Sequence, residues 1–297
     1  MRIGVDLGGT KTEAIVMDAH GQILLRERRI TPAHAGYQAI LQNVADLVAN
    51  LESQVGRHCH VGIGTPGAIS ARTGLMKNSN TTCLNDKPLY EDLQALLGRP
   101  LRLANDANCF ALSEARDGAG RGCEVVFGVI LGTGVGGGIV CNGQLHQGLQ
   151  HIAGEWGHNL LETDGPPCYC GRQGCIETLI SGPGLVWDYQ DSGGDLSVNA
   201  REIVRLAAHG DEQAELAMQR FLERFGRALA MVINILDPHA VVLGGGLSNI
   251  ERLYNEGRER VAQYVFNDEL RTPILKNIHG DSSGVRGAAQ LWRVEEL

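Results

Sequence analysis

The sequence predicts an α/β protein of two similar lobes with a cleft between them, on three observations. A strand, a glycine turn and a second strand occur twice, once from Arg2 and once from Glu124. Each occurrence is followed by helical and strand patterns in alternation, the arrangement that builds layered α/β units. The chain has 297 residues, 43% of them apolar, enough for two cores of about 150 residues each. Glycine is abundant, at 40 residues against an average usage of about 7%. It follows no collagen period and comes with only 9 prolines, so it marks turns and close backbone approaches in a globular chain.

The first half opens with strands over Arg2–Asp6 and Thr12–Asp18 about a turn at Leu7–Lys11, and His20-Gly21 turns the chain into a third strand, Gln22–Arg29. Tyr37–Leu51 carries Ile40, Leu41, Val44, Leu47, Val48 and Leu51 in a helical stripe. Val61–Gly64 and Leu101–Ala104 read as short strands, and Ala107–Arg116 as a helix. The second half repeats the opening with strands Glu124–Leu131 and Gly138–Cys141, followed by helical patterns at Ala200–Ala208 and Glu212–Leu236. A strand at Ala240–Leu243 and a helix at Ile250–Phe266 complete it. Segment 143–198 fits neither pattern and reads as an insertion with its own chemistry.

Charge and cysteine usage narrow the partners. Lys plus Arg is 26 and Asp plus Glu is 34, a net charge of −8, with no basic run to meet nucleic acid or an anionic membrane. No apolar stretch approaches the roughly 20 residues of a membrane span, and MRIGVDLGGT lacks the parts of a secretory signal. Eight cysteines are too dilute here for a small disulfide scaffold, and a cytoplasmic protein with reduced thiols is expected. Cys59, Cys83, Cys109, Cys123 and Cys141 read as small core residues.

Two glycine turns lie between strands. In Asp6-Leu7-Gly8-Gly9-Thr10-Lys11, glycine lets backbone N–H groups approach an anion, Thr10 and Lys11 add donors, and Asp6 could hold a hydrated Mg²⁺. An ordinary tight hairpin uses the same residue types. The second turn, Gly132-Thr133-Gly134-Val135-Gly136-Gly137-Gly138, contains a dinucleotide-fingerprint match, but a strand rather than a helix follows it and no acidic residue occurs before Glu155. One turn in each lobe suits gripping a nucleotide's phosphates from both sides. Gly244-Gly245-Gly246, after a buried strand, is either a third approach, to the nucleoside, or a plain strand-to-helix connection.

Asp106 lies where a strand ends and a helix begins, ionised by the helix N-terminus and able to serve a hydroxyl as general base; a simple N-cap is the other reading. His158, Cys168, Cys170 and Cys175 form H-x9-C-x-C-x4-C, which suggests a four-coordinate structural zinc; a redox pair or buried free thiols are the alternatives. Glu155 and Glu177 flank the cluster and are acceptors suited to sugar hydroxyls, or else surface glutamates.

Together these residues resemble the ROK family of sugar kinases, within the actin-like (ribonuclease H-like) ATPase superfamily. The resemblance covers essentially the whole chain. It rests on Asp6–Lys11, on Gly132–Gly138, on E-x-G-H at Glu155–His158 and on the unbroken C-x-C-G-x-x-G-C-x-E from Cys168 to Glu177. It implies two actin-like lobes with a zinc-bearing insertion, Asp106 as the base that takes the sugar hydroxyl's proton, and Asn80, Asn105, Glu155, His158 and Glu177 as sugar contacts. It implies ATP with Mg²⁺ between the two glycine turns, and a His158 that serves zinc with one ring nitrogen and sugar with the other edge. It places residues 1–118 in an N-terminal lobe completed by a C-terminal helix, 283–297, and residues 119–282 in a C-terminal lobe. A homodimer is the family expectation.

Within the family, Lys77-Asn78-Ser79-Asn80, Cys168-Tyr169-Cys170 and His279–Ala289 most resemble bacterial fructokinases with mannose activity. Conversion of fructose to fructose 6-phosphate is therefore expected, with an N-acetylhexosamine kinase or a glucokinase as the alternative. The family's sugar-sensing repressors carry a helix-turn-helix domain ahead of the kinase-like part; here the first strand begins at Arg2 and the charge is acidic.

Overall fold

The computed structural model describes residues 1–296. The first sheet is built from β1 (Arg2–Leu7), β2 (Lys11–Met17), β3 (Ile23–Ile30), β4 (His60–Thr65) and β7 (Leu101–Asn105), with α1 (Tyr37–Val55), the short strands β5 (Ala68–Ile69) and β6 (Met76–Lys77), and α2 (Leu89–Leu97) in its connections. Helix α3 (Asp106–Arg116) leads to the second sheet, which contains β8 (Val125–Leu131), β9 (Val135–Cys141), β10 (Gln144–His146), β11 (Ala240–Gly244) and β12 (Ile274–Lys276). Helices α4 (Ile176–Ile180), α5 (Gly182–Asp191), α6 (Ala200–Ala208) and α7 (Glu212–Leu236) lie between β10 and β11, then α8 (Glu256–Tyr264) before β12 and α9 (Ser283–Gln290) after it.

The two sheets share one topology. Their orders are β3-β2-β1-β4-β7 and β10-β9-β8-β11-β12, each with antiparallel pairs among the first three strands in sequence and parallel pairs to the last two. The repeated start in the sequence is thus a repeated sheet, as two actin-like lobes require.

Strand alternation sorts the side chains into layers. Ile3, Val5 and Leu7 of β1, with Ala14 and Val16 of β2, pack against the apolar stripe of α1 and against Leu89 and Leu93 of α2. Ile15 and Met17 point to the opposite face and meet Val285 and Ala289 of α9. In the second sheet, Phe127, Val129 and Leu131 of β8, with Val241 and Leu243 of β11, join the core against α7. Val126 and Val242 face Phe110, Ala111 and Leu112 of α3.

α3 therefore seats on the second sheet and α9 on the first, and the two helices cross. Their seats are glycines. A methyl at Gly4 or Gly62 would overlap the carbonyl of Val285 or Ala288, and one at Gly287 that of Cys109. Fully buried Glu114 ties the crossing together, accepting from Ser283 Oγ at 2.7 Å and from the N–H groups of Ala119, Ile278 and His279.

Several elements differ from the sequence reading. β9 starts at Val135, so Gly136, Gly137 and Gly138 are strand residues paired with Ile130, Val129 and Gly128. Their missing side chains make room: a methyl at Gly136 would lie 3.0 Å from Ala107 Cβ, one at Gly137 2.7 Å from Gly154 O, and one at Gly138 2.8 Å from Ala107 O. The expected helix at 250–266 is shorter, α8 preceded by two 3-10 turns, and α9 ends at Gln290, followed by a 3-10 turn at Val294–Glu296. α2, α4 and α5 lack a long amphipathic period because each is short. No helix among the described residues is long and apolar enough to cross a membrane.

Candidate functional site

β7 ends at Asn105, and α3 begins one residue later. The Asn105 side chain caps the helix, its Oδ1 accepting from Asn108 N at 2.8 Å, which leaves Asp106 as the first helical residue rather than the cap. Asp106 Oδ1 accepts from Ala107 N at 2.8 Å, and among the described residues Oδ2 has no hydrogen-bond partner. Asp106 is exposed, yet its carboxylate is closely surrounded by protein. Burial raises its pKa above the ordinary carboxylate value, opposed by hydrogen bonds from the N–H groups of Ala107 and of Asp106 itself.

Asp6 lies at the end of β1, close to Gly284 in the first turn of α9. Its burial, then the charges of Asp106 and Glu13, push its pKa up to about 6 against the pull of Lys11. A carboxyl whose pKa is raised by burial and by a neighbouring carboxylate, at the mouth of a tight turn, forms a natural seat for a cation. The turn itself is closed by Gly8 N donating to Lys11 O at 3.0 Å and by Thr31 Oγ1 donating to Gly8 O at 2.7 Å, with Thr10 and Lys11 exposed. Gly8 and Gly9 both keep negative φ. Glycine is required at Gly9 by contact, since a Cβ there would stand 2.9 Å from Thr81 Oγ1, next to Asn80.

The second turn is Gly132-Thr133-Gly134. Glu177 Oε2 accepts from Val135 N at 2.9 Å and would lie 2.6 Å from a Cβ on Gly134, so this glutamate buttresses the turn. Gly182 N, at the start of α5, donates to Gly132 O at 2.8 Å. Of the third glycine group, Gly244 lies under the Phe110 ring, Gly245 has φ of 80° beside Leu131 O, and Gly246 has open space around it.

Thr133, Gly134, Asn80, Glu155, His158 and Glu177 all line one cavity of about 1250 Å³. Asn105 Nδ2 donates to Glu155 Oε1 at 3.4 Å, which joins the end of β7 to the insertion. Burial, then the charges of Asp106 and Glu177, raise the Glu155 pKa, while His158 and Lys77 oppose the shift.

The ligand atoms of His158, Cys168, Cys170 and Cys175 all lie within 4.8 Å of one another. Cys170 and Cys175 Sγ are 3.6 Å apart, and Cys168 Sγ lies 3.6 Å from His158 Nδ1. Tetrahedral Zn–S bonds of about 2.3 Å separate their sulfurs by about 3.8 Å, and a disulfide would need about 2 Å. The four residues thus fit a tetrahedral zinc, and all eight cysteines are free thiols. The other ring nitrogen of His158, Nε2, lies 3.0 Å from the hydroxyl of Tyr169, whose ring stands edge-on at 5.1 Å, and both residues line the cavity. The insertion is braced on α7 by Arg224, which pairs with Glu162 at 2.9 Å and with buried Asp188 at 2.5 Å. Tyr169 sits between two of the cluster's cysteines, a position that could have flagged it, whereas Arg224 and Asp188 carry no local signal.

The ROK family profile matches residues 2–295, and the chain belongs to that family. It is 40% identical to an N-acetyl-D-glucosamine kinase of Haemophilus influenzae, over 98% of this chain and 99% of that one. It is 41% identical to the enzyme of that name from Salmonella heidelberg, with the same coverage. Among solved structures it resembles a ROK hexokinase from Thermus thermophilus, with TM-score 0.86 and 34% identity over 97% of this chain and 96% of that one. It also resembles a ROK family glucokinase from Streptomyces griseus in complex with glucose and AMPPNP, with TM-score 0.80 and 30% identity over 98% of each chain.

These relatives correct the expected sugar. Full-length matches at about 40% identity are N-acetyl-D-glucosamine kinases, so the fructokinase reading, with its mannose activity, is withdrawn. Of the motifs behind that reading, Cys168 and Cys170 belong to the cysteine cluster, and His279–Ala289 lies outside the cavity wall. Tyr169 is engaged with His158, and His279 and Ser283 are held by Asp117 and Glu114 at the helix crossing.

Proposed function

We propose that this ROK protein transfers the terminal phosphoryl group of ATP to the 6-hydroxyl of N-acetyl-D-glucosamine. The observation that carries the reaction type is Asp106: a carboxylate with one oxygen tied to the helix backbone, on an exposed residue whose charge acts on both Asp6 at the first glycine turn and Glu155 in the cavity wall. The full-length relatives support the sugar. In this reading Asn80, Asn105, Glu155, His158 and Glu177 hold the sugar. Asp106 takes the proton from the attacking hydroxyl as the new O–P bond forms and the bond to ADP breaks.

The turns at Gly8–Lys11 and Gly132–Gly134 flank the phosphates, and Gly246 leaves room for the nucleoside. Gly136 and Gly138 contribute by letting α3 lie close beneath the second turn, and Gly137 by admitting Gly154 and Trp156. Asp6 would hold Mg²⁺, which neutralises phosphate charge when bound. His158 Nδ1, Cys168, Cys170 and Cys175 would hold zinc, which fixes the loop that presents Glu155 and Glu177. An ADP-release assay across N-acetyl-D-glucosamine, N-acetylmannosamine, glucose, fructose and mannose tests the reading. The highest kcat/KM is expected on N-acetyl-D-glucosamine, and a preference for an unacetylated sugar rejects it.

A further inference from the structure

Tyr169 stands at the tip of the cysteine loop. Its turn is closed by Gly171 N donating to Cys168 O at 3.0 Å and by Cys168 N donating to Arg172 O at 2.7 Å. The residue is 74% exposed, so its side chain is free to extend into solvent. It folds back over His158 instead, with its hydroxyl 3.0 Å from Nε2 and its ring edge-on to the imidazole. There it lines the main cavity together with Asn80, Glu155, His158 and Glu177. The phosphoryl transfer proposed above leaves this side chain without a role.

The hydrogen bonds of His158 decide what the hydroxyl can do. Nδ1 lies 3.6 Å from Cys168 Sγ, so its lone pair is directed at the cysteine cluster. A metal ion or the thiol proton takes that lone pair, and either leaves the ring proton on Nε2. Nε2 therefore donates and the Tyr169 oxygen accepts. The tyrosine keeps its own O–H, which has no acceptor among the described residues. Glu155 and Glu177, as carboxylates, can only accept. They serve the O–H groups of a sugar, but not a sugar oxygen that needs a donor.

We infer that Tyr169 is a further sugar-binding residue: its oxygen holds His158, and its O–H donates to an exocyclic oxygen of the substrate, a hydroxyl or the acetyl carbonyl. His158 then acts on the sugar through Tyr169, and the cysteine loop places this donor beside the two carboxylates. The inference rests on the N-acetyl-D-glucosamine reading above and adds a donor to its sugar contacts.

Tyr169→Phe tests it by keeping the ring and removing the hydroxyl. Binding of N-acetyl-D-glucosamine is measured by calorimetry with AMPPNP present, and with zinc in the buffer so that both proteins have equal metal occupancy. The variant is expected to keep its Tm and to weaken binding by at least about 3-fold, the scale of one hydrogen bond. The 1-, 3-, 4- and 6-deoxy analogues of the sugar and 2-deoxyglucose then locate the contact. On one of them wild type and variant are expected to bind alike, because the oxygen that Tyr169 serves is gone from the sugar. A loss below about 3-fold on the parent sugar overturns the inference. So does an equal loss on every sugar, which marks a purely structural role. Wild-type protein that does not bind N-acetyl-D-glucosamine rejects the functional reading, and the contact with it. Wild-type binding with either of the two overturning results rejects the contact alone.

Discussion

The two lobes have the same sheet and different work. In the first, the chain passes from the third strand to the fourth through residues 31–59 and a single amphipathic helix. In the second, the corresponding passage is 147–239 and carries the cysteine cluster, Glu155, His158, Glu177 and helices α4–α7. The glycine turns occupy equivalent places at the first hairpin of each sheet, but only the second is buttressed by a carboxylate, Glu177, reaching from the insertion. In the proposed reading, the duplicated scaffold supplies two phosphate-facing turns and the unequal connections supply the sugar chemistry. The proposed base, Asp106, opens the helix that follows the first lobe's last strand, and most of its proposed sugar-holding partners come from the second lobe's insertion.

The largest expected effect falls on the first lobe. Asp106→Asn should retain sugar and ATP binding by calorimetry but lose turnover by several orders of magnitude, general-base removal alone costing about 10²–10⁴-fold. Near-normal turnover would assign the base elsewhere. In wild type, kcat/KM should fall with acid at a pH above the ordinary carboxylate range, because burial raises the Asp106 pKa.

On the insertion side, Arg224→Met removes the cation between Glu162 and buried Asp188. Asp188 keeps Arg220 at 2.7 Å and Glu162 keeps Arg227 at 3.4 Å, so the expected loss is that of hydrogen bonds to charged groups, about 1.5–3 kcal/mol, read as a lower urea midpoint. An unchanged midpoint would mean that the insertion is not braced on α7. Next in size, the freshly purified protein should contain about one zinc per chain by metal analysis. Cys175→Ser should lose it and lower kcat/KM by at least about 10-fold, the scale of lost metal-site support; full activity without metal would separate the cluster from the sugar site.

The smallest effect concerns Asp6. Its folded pKa of about 6 exceeds the model-peptide carboxylate value of 3.8, so the folded state binds the proton more tightly than the unfolded chain. The stability this group contributes is present below the unfolded value and is lost as pH rises through the folded one. Asp6→Asn should therefore raise Tm at pH 8 in the absence of Mg²⁺, with the gain vanishing towards pH 4. A gain independent of pH would remove the electrostatic account.

What the sequence by itself determined is local. The period of α1, the paired strand–glycine–strand starts, the strand-to-helix junction at Asp106 and the spacing of His158 with three cysteines are all readable from near neighbours, because each depends on backbone geometry over a few residues. The matching strand orders were visible only as an echo. Tertiary structure decided the rest, because it depends on residues far apart in the chain. Gly136, Gly137 and Gly138 read as loop glycines, but they are strand positions cleared for α3 and Gly154, and Gly4, Gly62 and Gly287 seat α9 against β1, β4 and α3. Asn105 rather than Asp106 caps α3, which leaves Asp106 with a single backbone N–H, that of Ala107, donating to Oδ1. Sugar choice was misread from the motifs for the same reason. The side chains that line the cavity, such as Asn80, Glu155 and Glu177, converge only when the lobes and the insertion are packed together.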